Sequence, residues 1–323
     1  MAPELWKPEV YQGARKRRRY FEGWYFKQVT AGAAESWSFI PGIARGEASG
    51  EGYSFVQAIE GATARSWWFE YPLAAFEASR RELRIRVGGN EFSRGGIRLA
   101  LESADGRFEG EIGFGPSTLL PSPFLSPGVM GPFSFVPFME CRHGLVSLHH
   151  RLSGSLRHDG REIDFEGGRG YAEKDWGSSM PECWLWTQSN NFPAEGDSFM
   201  LSVARIPWLG GSFVGFLCAA SLSGRLVREA TYSGARLAEI AIGDESARVV
   251  IEKPRTRERF EVEARRARGG LLRAPVKGLL SRRIAESVDA SLRLRWSRDG
   301  KLLFEGEAPK AGLEIVGDLA VRV

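Results

Sequence analysis

From Tyr20 onward the chain is a succession of short segments in which apolar and polar side chains alternate, each closed by turn residues. The segments fall at 20–29, 37–41, 53–59, 97–101, 108–114 and 145–156. They resume at 184–190, 199–206, 213–221, 247–252, 260–264 and 292–296. Between them stand Gly88-Gly89-Asn90, Asp105-Gly106, Asp159-Gly160 and Asp299-Gly300. A period of two puts alternate side chains on opposite faces of a strand. Short strands at regular spacing with such turns predict an all-β barrel or sandwich. The clearest hairpin runs from Trp296 to Phe304 across Asp299-Gly300. The little helix expected is a turn or two near 278–287.

A chain of 323 residues has room for about two domains. Glu22-Gly-Trp24-Tyr-Phe26-Lys-Gln28 and Glu182-Cys-Trp184-Leu-Trp186-Thr-Gln188 share one pattern at an offset of 160 positions (184 − 24). The repeat predicts two related β-barrel domains, 1–160 and 161–323, in a pseudo-twofold relation, each opening on an inward-facing aromatic strand. Residues 116–137 hold six prolines among phenylalanines. Proline removes backbone donors and interrupts ladders, so this stretch reads as a long ordered loop, either a lid or a surface connection.

The 44 basic and 40 acidic residues leave a net charge of +4, and no basic stripe with interleaved aromatics appears. That argues against a nucleic-acid partner. The one concentrated run, Arg15-Lys16-Arg17-Arg18-Arg19, reads as a solvated face or as a peripheral contact with an anionic membrane. Three cysteines without a CxxC fit a reducing compartment. The first residues carry Glu4, Lys7 and Glu9 without an apolar core, and the longest apolar run, near 213–220, is far short of the ~20 residues that span a bilayer. The expectation is a cytoplasmic protein.

The stretch from Gly170 to Asn190 gathers charge and indole in one place. Trp184, Trp186, Gln188 and Asn190 project to one face of a strand, which gives apolar area with a few oriented amides, as a lipophilic ligand would need. Glu173, Lys174 and Asp175 stand beside Trp176. Indoles that exclude water favour the neutral form of a carboxyl group, which makes it a usable proton donor. Glu22 shares a face with Trp24, Phe26 and Gln28 and needs a partner there, which Lys174 or His143 would supply. His143, His149 and His150 cluster without a third ligand at metal-site spacing, so no metal is expected. No P-loop, GxSxG, GxGxxG after a strand or HExxH is present.

Arg18-Arg19-Tyr20-Phe21-Glu22-Gly23-Trp24-Tyr25-Phe26-Lys27 resembles the N-terminal signature of tocopherol cyclase and its bacterial relatives. Tyr171-Ala-Glu-Lys-Asp-Trp-Gly177, with Pro181, Trp184, Trp186, Gln188 and Asn190, is similar to their second signature. Residues 127–131, 140–147 and, more loosely, 284–287 look like the bacterial branch. The resemblance implies two lipocalin-like domains, shared more distantly with carotenoid hydratases. It also implies a cofactor-independent isomerase that closes a chromanol ring by adding a phenolic oxygen across the nearest prenyl double bond of a quinol. Plant members carry Asn at the position of Asp175, which moves the expected acid to Glu173, with Glu22 opposite. Gln188, Asn190 or His143 would orient the quinol hydroxyls, and the aromatic rings would stabilise a tertiary cation. The alternatives are a carrier that holds a lipophilic isoprenoid without chemistry, and a hydratase in which water traps the cation.

Overall fold

A computed structural model describes residues 3–208 and 210–319. Nearly all of the regular structure is antiparallel strand, as the alternation predicts, and it forms two sheets. The first holds β1 (Tyr20–Val29), β2 (Ser36–Arg45), β3 (Gly52–Glu60), β4 (Ser66–Tyr71), β5 (Phe76–Ala78) and β6 (Arg84–Val87). It continues with β7 (Asn90–Ser93), β8 (Gly96–Ser103), β9 (Gly106–Phe114), β10 (Cys141–His158), β11 (Arg161–Asp164) and β12 (Arg169–Gly177). Their order is β4-β3-β2-β1-β12-β10-β9-β8-β7-β6-β5, with β11 beside β10.

The second sheet holds β13 (Trp184–Ser189), β14 (Ser198–Trp208), β15 (Gly211–Leu222), β16 (Arg225–Ala230) and β17 (Arg236–Ile242). It ends with β18 (Ser246–Lys253), β19 (Glu258–Arg265), β20 (Gly270–Val276), β21 (Leu279–Arg298) and β22 (Lys301–Val316). The order is β16-β15-β14-β13-β22-β21-β19-β18-β17, with β20 beside β21. Each sheet therefore places its first strand between its second and its last, runs a meander outward on one side, and hangs a short off-path strand on a long one. Among the described residues neither order closes on itself by hydrogen bonds.

The first sheet nonetheless curls over its core. Trp67 on β4 meets Phe108 on β9 edge-to-face at 5.1 Å, and its indole N–H donates to the Asp105 carbonyl at 2.9 Å. Trp24, Phe26, Trp37 and Phe39 complete this core from β1 and β2. Burying each such side chain is worth about 1.5–3 kcal/mol. The second core is separate and rests on Leu185, Leu201, Val203, Phe216, Phe260 and Trp296.

The chain divides into two compact units: residues 1–60, 65–180 and 271–284, and residues 61–64, 181–270 and 285–323. This differs from the expected division at residue 160. The reason is pairing: β12 lies between β1 and β10, so residues 169–177 belong with the N-terminal strands. The helical turn expected near 278–287 is instead the start of β21. Lys277 and Gly278, at φ 50° and 95°, make a tight two-residue turn between β20 and β21, and positive φ at both positions is the geometry a hairpin selects. The hairpin across Asp299-Gly300, at φ 52° and 73°, stands where the sequence put it. The stretch 116–137 is a strand-free connection between β9 and β10 with one 3-10 turn, Gly131–Phe135.

The repeated Glu-x-Trp pattern needs a further correction. On β1, Trp24 and Phe26 face the first unit's core. On β13 the core residue is Leu185, which pairs with Val203, so Trp184, Trp186 and Gln188 occupy the opposite face. The two motifs start equivalent strands in equivalent orders but present their aromatic residues to opposite sides.

Candidate functional site

β12 reads Arg-Gly-Tyr-Ala-Glu-Lys-Asp-Trp-Gly, and its pleat sorts these residues into two sets. Trp176, Lys174 and Ala172 lie opposite Glu22, Trp24 and Phe26 of β1, on the core face. Asp175, Glu173 and Tyr171 lie opposite Gly23, Tyr25 and Lys27, on the other face. Adjacent charges in the sequence thus build two distinct clusters with a sheet between them.

The core-face cluster is an ion pair saturated with donors. Glu22 and Lys174 are both fully buried, and Lys174 Nζ lies 2.5 Å from Glu22 Oε1. The Glu22 carboxylate also accepts the backbone N–H of Gln12 at 2.9 Å, that of Gly13 at 2.9 Å and the Tyr20 hydroxyl at 2.5 Å. Lys174 donates to the Val10 carbonyl at 2.6 Å and sits 4.9 Å and 4.5 Å from the Trp24 and Trp176 ring centres. Burial pulls the Lys174 ammonium below the ordinary lysine value, against the opposing pull of Glu22. Burial and the same carboxylate push the Tyr20 phenol well up. With every acceptor direction of Glu22 taken, the pair resembles a structural clamp on residues 10–13 more than a proton donor.

On the other face His143 bridges two carboxylates. Its Nδ1 lies 2.9 Å from Asp175 Oδ1 and its Nε2 lies 3.4 Å from Glu173 Oε2. The Tyr171 hydroxyl donates a short bond to the same Glu173 oxygen. Burial alone would lower the His143 pKa, but Glu173 and Asp175 outweigh it and hold the imidazole well above its usual range. Burial and Glu173 likewise raise the Tyr171 phenol well above the tyrosine value. The two carboxylates therefore favour the protonated form of the imidazole that stands between them. Tyr25 stands directly cross-strand from Glu173, and its hydroxyl accepts from Ser38 at 2.9 Å. Donor atoms of His143, Glu173 and Asp175 lie within 4.8 Å of one another, close enough to share one cation. The His143–Asp175 hydrogen bond and the Tyr171 bond to Glu173 already use lone pairs that such a cation would need.

Gln28 is buried on the core face, and neither its amide oxygen nor its amide nitrogen has a hydrogen-bond partner. In the second unit Trp184, Trp186, Gln188 and Asn190 are all buried. The Trp184 indole N–H donates to Glu314 at 2.5 Å, and Glu286 stands directly cross-strand from Glu314. Sequence reasoning missed Tyr171, Tyr25, Glu286 and Glu314. For Tyr171 a signal existed, since 171, 173 and 175 share parity. Glu286 and Glu314 are brought together by pairing between distant strands, and no local pattern marks them.

A family model described as tocopherol cyclase-like matches residues 126–317, more than half of the chain. The chloroplastic tocopherol cyclase of Zea mays is 32% identical over 68 residues, 21% of this chain and 14% of that protein. The chain thus matches only about one seventh of that relative's length. Among solved structures, CghA with Sch210972 has a TM-score of 0.58 at 11% identity, covering 93% of this chain and 89% of that one. Kievitone hydratase from Nectria haematococca has a TM-score of 0.52 at 9% identity, covering 95% and 93%. At such identities the likeness speaks to the fold alone. The family match starts within the connection before β10 and runs through β12, β13 and the rest of the second sheet, and on that ground the chain belongs to the tocopherol cyclase-like family.

Proposed function

We propose that the protein is an isomerase-type cyclase that closes a chromanol ring on a prenylated quinol. The observation that carries this reading is the Tyr171–Glu173–His143–Asp175 cluster, buried but for the half-buried Asp175, in a chain of this family. Glu173 delivers a proton to the less substituted carbon of the alkene, and a tertiary cation forms on its neighbour. His143 supplies that proton to Glu173, and Asp175 holds the imidazole through Nδ1. The phenolic oxygen then attacks the cation, and the phenol's proton passes to Glu173 and from there back to His143. Substrate and product have the same formula, so the cycle closes without a cofactor. Tyr25 offers an aromatic face on the same side of the sheet as Glu173. Trp184, Trp186, Gln188 and Asn190 are the corresponding candidates for ligand contact in the second unit. In this reading Glu22, Lys174, Trp24, Phe26 and Trp176 support the site from the other face, and each curled sheet is a lipocalin-like barrel. A cytoplasmic location belongs to the same reading, and three unpaired cysteines support it.

The test is incubation of the purified protein with a synthetic prenylquinol, with products separated by chromatography and weighed by mass spectrometry. A ring-closed product of unchanged mass is expected. Glu173→Gln should lower its rate by about 10²-fold or more with the fold intact. A product heavier by one water, or stoichiometric retention without turnover, would replace the cyclase with a hydratase or a carrier.

A further inference from the structure

Of the exposed large apolar side chains among the described residues, five fall within one connection: Leu119, Phe124, Leu125, Phe135 and Phe138. Phe124, Leu125 and Phe138 are 65%, 75% and 96% exposed. The Phe138 backbone sits at φ +62°, a region unfavourable for a bulky residue, with the ring held out in solvent.

This connection is built, not slack. Trp6 stacks on Phe124 at 5.4 Å, and its indole N–H donates to the Phe124 carbonyl at 3.0 Å. The Ser122 hydroxyl donates to the Trp6 carbonyl at 3.3 Å and accepts the Gly128 N–H at 3.0 Å. The Arg142 guanidinium donates to the Val136 carbonyl at 3.0 Å.

Two properties of the stretch distinguish lipid from water as its solvent. Residues 112–139 contain no charged side chain, so entry into a bilayer surface would strip water from no ion. The six prolines of 116–137 have no N–H, so the segment carries fewer backbone donors that would lose their water there. A positive charge stands close by. Arg142 is bonded to Val136, and the sheet register brings the run near it: Phe21, two residues past Arg19, pairs with Gly177, which pairs in turn with Cys141. All five residues of that run are exposed. The pair Arg19–Glu47 at 3.2 Å is more than half exposed on both sides and leaves the run strongly positive.

We propose that residues 119–138 are an interfacial anchor that seats Phe124, Leu125 and Phe138 in the surface of an anionic bilayer, while Arg15–Arg19 meet its headgroups. The apolar side chains supply partition into the interface and the basic run supplies lipid preference, the two signals that together make peripheral binding stable. The inference stands independently of the cyclase reading.

The experiment is co-sedimentation of the full chain with phosphatidylcholine vesicles and with vesicles containing phosphatidylglycerol. Binding should be stronger to the anionic vesicles and weaken with salt. The variant L125D/F138D, altered only at exposed positions, should lose about tenfold or more of its partition while circular dichroism stays unchanged. Replacing Arg15, Lys16, Arg17 and Arg18 with Gln should remove the preference for phosphatidylglycerol. Failure to bind the anionic vesicles at low salt, or unchanged binding by L125D/F138D, overturns the proposal. So does a concentration-dependent dimer on size exclusion that L125D/F138D abolishes without any vesicle binding, because the surface would then serve a second copy of this chain.

Discussion

Glu22 and Glu173 are both buried carboxylates on neighbouring strands, and their neighbours give them different parts. Glu22 compensates a buried ammonium, so Glu22→Gln should strand Lys174 without a counter-charge and cost about 3–5 kcal/mol. Urea unfolding measures that loss, and adding Lys174→Met should recover much of it, because an apolar side chain needs no partner. Glu173→Gln removes one of the two carboxylates that flank the His143 imidazole, so it should cost some stability on that face, while its larger deficit should appear in turnover. His143 carries the pH dependence of this face. Its folded pKa is raised, so its contribution to stability is complete below about pH 6.5 and is lost as pH climbs through the folded value. Stability should therefore decline on the alkaline side, and His143→Gln should flatten that slope in urea titrations repeated from pH 6 to 9. The need of Glu22 for a partner was legible in the sequence, which left Lys174 and His143 open, and the pleat of β12 decides for Lys174. The backbone donors at Gln12 and Gly13 were not legible, because they come from the start of a single 3-10 turn, Gly13–Arg15, too short to leave a periodic pattern.

At the scale of the element, alternation was legible and registry was not. Parity placed Trp184, Trp186 and Gln188 on one face of β13, as found, but could not say which face meets the core. That depends on Leu185 meeting Val203 and Leu201 from a strand the alternation cannot see. β10 shows the same limit, with register shifts between Leu145 and Ser147 and between Ser147 and His150 against β12. These bulges carry no local signature, yet they turn His150 over Gly170. A methyl group on Gly170 would lie 2.1 Å from His150 Nε2, so Gly170→Ala should destabilise by about 1–3 kcal/mol. In a His150→Ala background the same change should cost far less, and a double-mutant cycle reads the difference. Burial, with help from His149, lowers the His150 pKa to about 3. The folded protein thus takes up this proton later than the unfolded chain, and stability present above about pH 6.5 drains away as pH falls toward 3. The His150→Ala variant should lose that part of its acid sensitivity.

At the scale of the whole molecule, the two sheets share one strand order, while the division into units rests on pairings no local pattern contains. Residues 271–284 return to the first unit after ninety residues of the second (181–270). There Gln57 binds Arg273 in both directions: its amide donates to the Arg273 carbonyl at 3.1 Å and its oxygen accepts the Arg273 N–H at 2.8 Å. The Leu280 N–H donates to the Tyr53 hydroxyl at 3.0 Å, its side chain packs with Ala44 and Phe55, and the Arg273 guanidinium lies 4.2 Å from the Trp68 ring centre. A chain ended at Met180 would contain every strand of the first sheet and lack all of these contacts. Three hydrogen bonds at about 1 kcal/mol each and one buried leucine at about 2 kcal/mol make the deficit about 3–5 kcal/mol once part of the exposed surface rehydrates. The fragment should unfold at a lower urea concentration than β1 to β4 do in the intact chain, with the latter followed by hydrogen exchange of their backbone amides. Leu280→Ala in the intact chain should reproduce about half of the loss in the same strands. Equal protection of those strands in fragment and intact chain would mean that 271–284 only rests on the first unit. A shortfall would mean that the N-terminal fold is completed by residues made more than ninety positions after its last strand.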